Sequence, residues 1–505
     1  MTSPTSRPVL FSLSIVVLSL AASAVLLSGC ASTAGIAPTH TLLNPSQLAA
    51  QPVAAAASSA VNVADATPWP QEQWWKAYND PVLDGLVDKA LADQPSLQTV
   101  QSRLAQAQAI VDVNRSALSP QVNASVELTD QRFSEKFIYP SPLAGSTEWS
   151  ADARFSGSWD LDLAGGKHAA LESAIGQQRA AMAEAQAARL SATSSVASAY
   201  VSLARLVALR DVAVRTARTR DDVLGLVRDR RQAGLDTTVE LRQAQGLIAQ
   251  TRVDVDAIDE QIDRARHALA ELTGQGPDAL ATLTPELRTF TPNPLPQGLP
   301  ADLVGRRPDL VAARWRVEAA AQDVQVARAQ FYPNVNLTAF LGLQSLGLDQ
   351  LVKAGSRTYG IGPAIHLPIF DAGRLRAGLK QRAAEVDVAV DTYNAALLRA
   401  LREVADEVST LKRLERQRHN QAAALAASES AYDLATQRYK AGLGNLLVVL
   451  TAEGNVLVQR RAIADIDARH LAAEIALTRA LGGGYRDDAQ PGPMPIAEQP
   501  APAHG

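Results

Sequence analysis

The sequence predicts a membrane α+β protein, a tandem duplication in which each copy carries one amphipathic β-hairpin among long coiled-coil helices. Three observations predict it. The 505-residue chain matches itself at shifts of 207 to 213 residues, four stretches alternate apolar and polar side chains with period two, and the intervening stretches repeat apolar residues at steps of four and three.

The repeat comes first because it sets the frame for every element. "DQPSLQTVQSRLAQAQ" from Asp93 matches "RRPDLVAARWRVEAAAQ" from Arg306, with Pro95 and Pro308 separated by 213 residues. "LSPQVNAS" from Leu118 matches "FYPNVNLT" from Phe331 at the same shift, Pro120 against Pro333. Gly166 pairs with Gly373 at 207, and Gly234 in "RRQAGLDTTVEL" pairs with Gly442 in "RYKAGLGNLLVVL" at 208. The copies are expected to occupy 81–274 and 301–482, with a six-residue length difference falling inside the hairpins.

At the N-terminus, Arg7 precedes a mostly apolar run from Val9 to Leu27, the pattern of an export signal over 1–29. Leu27-Ser28-Gly29-Cys30 resembles the lipobox of bacterial lipoproteins, in which the chain is cut before the cysteine and the thiol is acylated. Cys30 is the chain's only cysteine, so it forms no internal disulfide and supplies no zinc cluster alone. A covalent lipid on Cys30 is the expected modification, and Ala31 rather than aspartate implies sorting to the outer membrane in lipoproteins of this kind. Residues 30–80 then form a lipid-anchored lead that is expected to be flexible.

The first hairpin, 120–163, pairs Val122, Ala124, Val126 and Leu128 with the apolar face of "WSADARFSGSWDLDL" from Trp149. The second, 333–369, sets Val335, Leu337, Ala339, Leu341 and Leu343 against Tyr359, Ile361, Pro363, Ile365, Leu367 and Ile369. Pro363 within a strand predicts a bulge or a break. Each strand is near the roughly nine to eleven residues that cross a bilayer. Four strands cannot close a barrel, whose smallest membrane form has about eight, and an open edge is not tolerated in lipid. Several chains must therefore pool their strands: two would give eight, three would give twelve.

Helical spacing flanks each hairpin. Leu379, Ala383, Val386, Val390, Tyr393, Leu397, Ala400, Val404, Leu411 and Leu414 form a coiled-coil seam interrupted by Glu407. The first copy repeats it weakly, with Ile175, Met182, Val196 and Leu203 on one line and Ala185, Ala192 and Ala199 on the next. About 35 helical residues are expected before each hairpin, about twice that after it, and about 35 beyond the turns at Gly234 and Gly442, so that two short helices stacked end to end match one long one. A Pro-rich linker, 275–300, joins the copies, and 483–505 reads as a loose tail.

Lys plus Arg is 48 against Asp plus Glu 52, a balance that excludes a nucleic-acid partner driven by net charge. The seven histidines form neither an HExxH motif nor a Cys-His cluster, and "GGK" at Gly165 lacks the rest of a phosphate loop. Asp160 and Asp162 alternate on one strand face, which fits a polar lumen lining better than a metal pair. No enzyme activity, cofactor or metal is expected.

"GLPADLVGRRPDLVAARWRVEAAAQDVQVARAQFYPNVNLTAFLG" from Gly298, with "WWKAYNDPVLDGLVDKAL" from Trp74 and the lipobox, resembles the outer membrane factor (TolC-like) family, and within it the NodT-type efflux lipoproteins. The resemblance spans roughly 70–480. It implies a homotrimer with a 12-stranded β-barrel in the outer membrane, continued by a coiled-coil helical tunnel through the periplasm. It also implies a passive exit duct for small toxic molecules, opened by a periplasmic membrane-fusion adaptor and driven by an inner-membrane resistance-nodulation-division (RND) transporter. The adaptor contact then maps to the hairpin tips Ala233, Gly234, Leu235, Ala441, Gly442 and Leu443, and the periplasmic gate to Asp433, Leu434, Arg438 and Tyr439. Two alternatives keep part of this picture: a type I protein secretion channel, and a lipid-tethered coiled-coil spacer without a pore.

Overall fold

The computed structural model describes residues 33–44, 70–287 and 306–486. Cys30, the leader, most of the Pro-rich linker and the tail beyond 486 lie outside them. A 3₁₀ turn, Trp74–Tyr78, precedes helices α1 (Pro81–Asp93) and α2 (Pro95–Ser116), strands β1 (Gln121–Arg132) and β2 (Thr147–Asp160), and helices α3 (Gly166–Gln232) and α4 (Thr238–Leu272). The second copy runs α5 (Pro308–Ala329), β3 (Asn334–Leu346), β4 (Arg357–His366), α6 (Arg374–Lys440) and α7 (Leu446–Ala480).

Helix lengths repeat across the copies: α2 and α5 each have 22 residues, α3 and α6 each 67, α4 and α7 each 35. The expected 35-residue stretch before the first hairpin is cut in two, because Gln94 is held extended ahead of Pro95, as residues before proline are. Prolines open α1, α2 and α5, where their missing N–H costs nothing. The two long helices start from left-handed caps at Gly165 (φ 72°) and Gly373 (φ 87°). These caps are 208 residues apart (373 − 165), so Gly165 rather than Gly166 is the true counterpart of Gly373 and the hairpins differ by five residues, not six.

Each 67-residue helix is about 100 Å long. Near the sheet, α3 is flanked by α2 and α5, and α5 also touches α6; toward the far end α3 packs on α4 and α7, and α7 on α6. Short helices thus stack end to end beside the long ones. Gly274, following α4, abuts the carbonyl of Asp93, the last residue of α1 just before α2, where a Cβ would lie 2.9 Å from its oxygen; Gly482, following α7, abuts the Arg306 carbonyl before α5, where a Cβ would lie 2.3 Å away. Both joints require glycine, for space and for left-handed φ.

The coiled-coil seam of α6 is buried from Leu379 to Leu414 at every predicted apolar position, and packs on Leu310, Val317 and Val324 of α5 at its upper end. In α3, Val196 and Leu203 of the predicted first line and Ala185 and Ala192 of the second are buried, but the two lines do not cover the whole packed surface. Met182 is half exposed, while Ala174, Ala180 and Ala183 are buried, because α3 is gripped by neighbours on two sides and buries a broader, alanine-lined band.

Two segments expected to be loose are packed. Residues 33–44 run along α6: Thr39 and His40 donate backbone N–H groups to the Asp387 carboxylate at 2.8 Å each, Leu43 N–H donates to Asn394 at 2.8 Å, and Ile36 is buried beside α5 and α6. Trp74 and Trp75 enter the main core with Leu83, Val87 and Leu203. Leu481 to Gly483 are also buried, so the tail begins later than residue 483.

Candidate functional site

The four strands form one antiparallel sheet in the order β1-β2-β3-β4, leaving β1 and β4 as free edges. Register decides what each face carries, because paired residues share a face. Ala124, Phe155, Leu341 and Tyr359 form one row across the sheet; Val122, Gly157, Ala339 and Ile361 form the next, and Trp159, Leu337 and Pro363 extend the same face. Asn123, Ser156, Phe340 and Gly360 form a row on the opposite face, as do Ser125, Arg154, Gly342 and Thr358, with Glu127, Asp152 and Gln344 beside them. One face is therefore predominantly apolar, with Asp130, Arg132 and Arg357 at the end away from the helices, and Phe155, Leu341, Tyr359 and Ile361 are all more than 60% exposed within the single chain. The other is polar, and Arg154 there forms a forked ion pair with Asp152.

Two details of that sheet differ from expectation. Pairing continues without a bulge or break through Leu337 and Pro363, because β4 is an edge strand within the chain and tolerates a missing donor. Phe340, which dilutes the polar face, lies over Gly360, whose absent side chain makes room for the ring. Asp162 lies beyond β2, where its carboxylate accepts the N–H groups of Lys167 at 2.8 Å and His168 at 2.9 Å, capping α3 rather than lining the sheet. Asp371 does the same for α6, accepting from Leu375 at 2.8 Å.

At the opposite end, about 100 Å away along the long helices, the two helical hairpins turn at Ala233-Gly234-Leu235 and Ala441-Gly442-Leu443. Leu235 N–H returns to the Arg230 carbonyl and Leu443 N–H to the Arg438 carbonyl, both at 2.8 Å, with Gly234 and Gly442 left-handed. Leu235 and Leu443 project into solvent. Between the tips sits a buried knot. Arg230 binds Asp236 at 3.1 Å, donates to the Tyr439 carbonyl at 2.8 Å, and stacks 4.4 Å from the Tyr439 ring centroid, while the Tyr439 hydroxyl donates to Asp236. Burial and the Asp236 carboxylate push the Tyr439 hydroxyl above its ordinary pKa, so it remains a donor at any physiological pH. Deeper along the bundle, Arg220 of α3 binds Glu453 of α7 at 3.0 Å and Thr251 of α4 at 2.5 Å; burial raises the Glu453 pKa against the pull of Arg220.

Comparison with known proteins bears on this geometry. The family described as outer membrane efflux protein matches residues 86–275 and 299–483. The chain belongs to the outer membrane efflux protein family. The multidrug resistance outer membrane protein MdtP of Escherichia coli is 32% identical over 476 residues, covering 93% of this chain and 96% of MdtP. The fusaric acid resistance protein FusA of Burkholderia cepacia is 38% identical over 369 residues, covering 72% of this chain and 68% of FusA. The crystal structure of the outer membrane protein VceC from Vibrio cholerae superposes with a TM-score of 0.78 at 36% identity, covering 83% of this chain and all of VceC.

As an efflux-family chain, it forms with two further copies a twelve-stranded outer-membrane barrel continued by the helical tunnel, the outer-membrane channel of a tripartite efflux pump. The family and its structural neighbours are channel proteins, not enzymes. The apolar sheet face is then the lipid side and the polar face the lumen.

Within that channel the sequence-derived gate residues divide. Asp433, Leu434 and Arg438 are exposed, but Tyr439 is only 1% exposed and faces the first hairpin, so it holds the two tips together instead of projecting from them. Arg230, Asp236, Arg220 and Glu453 were not singled out by sequence. For Arg220, Arg230 and Glu453 the only signal is charge at positions where the helical period calls for apolar residues; Asp236 lies in the turn between α3 and α4, where no period applies. The Arg306-Arg307-Pro308-Asp309 motif, the most specific part of the family resemblance, serves the scaffold. Arg307 binds Asp309 at 2.8 Å, Glu403 of α6 at 2.9 Å and the Ala480 carbonyl of α7 at 3.2 Å, tying three helices at the end-to-end joint.

Proposed function

We propose that this channel is the passive exit duct for small toxic molecules, fed by a periplasmic adaptor and an inner-membrane RND transporter. The observation that carries the reading is the sheet with one apolar and one polar face and two unpaired edges. Such a sheet is stable in lipid only as a segment of a closed wet-cored barrel. Cargo of low molecular mass is supported by the names of the relatives, which are a fusaric acid resistance protein and a multidrug resistance protein. Adaptor docking is assigned to Ala233, Gly234, Leu235, Ala441, Gly442 and Leu443, whose exposed leucines cap both tips. Asp433, Leu434 and Arg438 form the entrance, and the Tyr439 knot keeps each protomer's hairpins together.

Lipid attachment at Cys30 is supported by the course of the strap, residues 33–44 along α6. The strap and α6 run in the same direction, from Thr39 beside Asp387 to Leu43 beside Asn394, so its upstream end is directed toward the barrel. Asp387 lies 13 residues into α6, about 20 Å below the sheet. The nine residues from Cys30 to Thr39 span up to roughly 30 Å, enough to reach the membrane border.

The test is conductance of the purified, acylated protein in planar bilayers, alongside deletion of its gene and susceptibility testing against a toxicant panel. Ion conduction that rises when Asp433 or Arg438 is replaced by alanine is the expected result. A silent bilayer across the whole set of tip variants would favour the spacer, and unchanged susceptibility would remove the small-molecule cargo.

A further inference from the structure

The lipid-facing side of the sheet carries three charges, Asp130 and Arg132 on β1 and Arg357 on β4, all at the end farthest from the helices. Arg132 has Glu135 at 3.4 Å. Among the described residues, neither the Asp130 nor the Arg357 side chain has a hydrogen-bond or ion-pair partner within its own chain. They carry opposite charges on the two free edges of one sheet, Asp130 beside Trp149 and Arg357 beside Leu343. An unpaired charge on the lipid side is destabilising even near the interface, so two such charges call for a common explanation.

Backbone geometry supplies it. Gly347 N–H donates to the Trp149 carbonyl at 2.7 Å and Leu161 N–H to the Val335 carbonyl at 3.1 Å, so the lipid-facing residues of β2 and β3 bond to each other. Successive residues of a strand turn their backbone groups to opposite neighbours. It follows that the lipid-facing residues of β1 and of β4 both direct theirs to the open edges. The edges are therefore complementary: joining β4 of one chain to β1 of the next pairs lipid-facing residues with lipid-facing residues. β4 has 10 residues and β1 has 12. If all of β4 is to pair antiparallel with β1, Arg357 must stand opposite residue 130, 131 or 132 of the neighbour, and the requirement of a common face leaves only 130 or 132. In the first case Asp130 lies directly opposite Arg357. In the second it is the diagonal neighbour, about 7–8 Å away and still within reach of an arginine side chain.

We propose that Arg357 forms an ion pair with Asp130 of the partner subunit, a clasp that closes each of the three barrel seams at the outer, lipid-facing rim. It rests on the trimeric barrel reading. Pro363 is the one position on β4 that cannot donate across this seam, which leaves the ends of the seam to hold it.

The test uses full-length acylated protein extracted from outer membranes, with the wild type first shown to be trimeric by native mass measurement; a monomeric wild type would overturn the barrel reading and the clasp together. Asp130→Arg and Arg357→Asp are each expected to lower the temperature at which the trimer dissociates, and the double exchange to return it toward the wild-type value. Singles with no effect, or a double variant no better than the sum of the singles, would overturn the clasp while leaving the trimer intact. A second measurement fixes the seam independently of charge. With Cys30 acylated, no native thiol competes, so Asp130→Cys or Arg132→Cys combined with Arg357→Cys reports contact by oxidative cross-linking between subunits. Cross-linking through either pair is expected, and cross-linking through neither overturns the proposal.

Discussion

The sheet and the helical wall solve the same problem in opposite ways. In the wall, apolar side chains are buried inside one chain: Leu379, Val390 and Leu397 are fully buried in a cluster built from α5, α6 and the 33–44 segment. In the sheet, Phe155, Leu341, Tyr359 and Ile361 stay exposed, and among the described residues no helix packs across either face. One region is a conventional core that a monomer can hold. The other has hydrogen bonds within the chain but takes its apolar environment from lipid and completes its edges with sister chains. The wall should therefore govern the stability of the chain itself, and the sheet should govern assembly.

This contrast can be broken by substitution. Leu397→Ala in the wall is expected to destabilise the chain by about 2–5 kcal/mol through lost burial and a cavity. Leu341→Ala, on the exposed sheet face, should leave the thermal unfolding of the helices almost unchanged. Equal effects in a helix-signal melt of the detergent-solubilised protein would dissolve the distinction. Charge sharpens it from the other side. Leu341→Arg, near mid-sheet on the apolar face, is expected to cost roughly 2–4 kcal/mol in the membrane, read as loss of outer-membrane trimer. Ser156→Arg, in a polar-face row, should be tolerated, and if both positions accept arginine equally the assignment of lipid and lumen faces is wrong.

At the tips, Tyr439→Phe keeps the ring under Arg230 but removes the hydroxyl that bonds Asp236. A hydrogen bond to a charged group contributes about 1.5–3 kcal/mol. The expected outcome is a locally looser tip, seen as faster amide exchange around residues 230–236 with no change near the sheet. Protection that stays the same would mean the knot is incidental to how the hairpins are held.

Much of this organisation was legible in sequence because period and repetition are geometric. Alternation from Trp149 to Trp159 could only be a two-faced strand, and the four-three spacing from Leu379 could only be a helical seam. What escaped was decided by tertiary partners. Pro363 reads as a strand breaker until β4 is known to be an edge, and Met182 reads as core until α3 is seen to be gripped from two sides. Polar residues of the 33–44 segment such as Thr39 and Thr41 look like linker chemistry, although their hydrogen bonds to Asp387 and Asn394 pin the chain to α6. Tyr439 sits at a position that suggests a constriction, yet its partners Arg230 and Asp236 lie more than 200 residues away in sequence, where no local pattern points to them.

The smallest expected effect concerns the Arg307 joint, and it follows from a sign. Burial would raise the Asp309 carboxyl, but the Arg307 guanidinium together with backbone N–H donors, that of Leu310 among them, offsets it and holds its pKa below the usual carboxylate range. A depressed folded pKa means that the unfolded chain binds the proton more readily. The stabilisation is therefore complete above the ordinary aspartate value of about 3.9 and is lost as pH falls through the lower folded value. Asp309 is half exposed, so solvent screens the pair and the contribution is modest. Asp309→Asn should lower stability slightly at pH 7 and flatten its dependence on pH below about 4, whereas an identical acid limb in variant and wild type would assign acid sensitivity to other carboxylates. Because Arg307 also holds Glu403 and the Ala480 carbonyl, the joint should survive this change, and the tunnel wall should keep its length while losing only one of three ties at the junction of α5, α6 and α7.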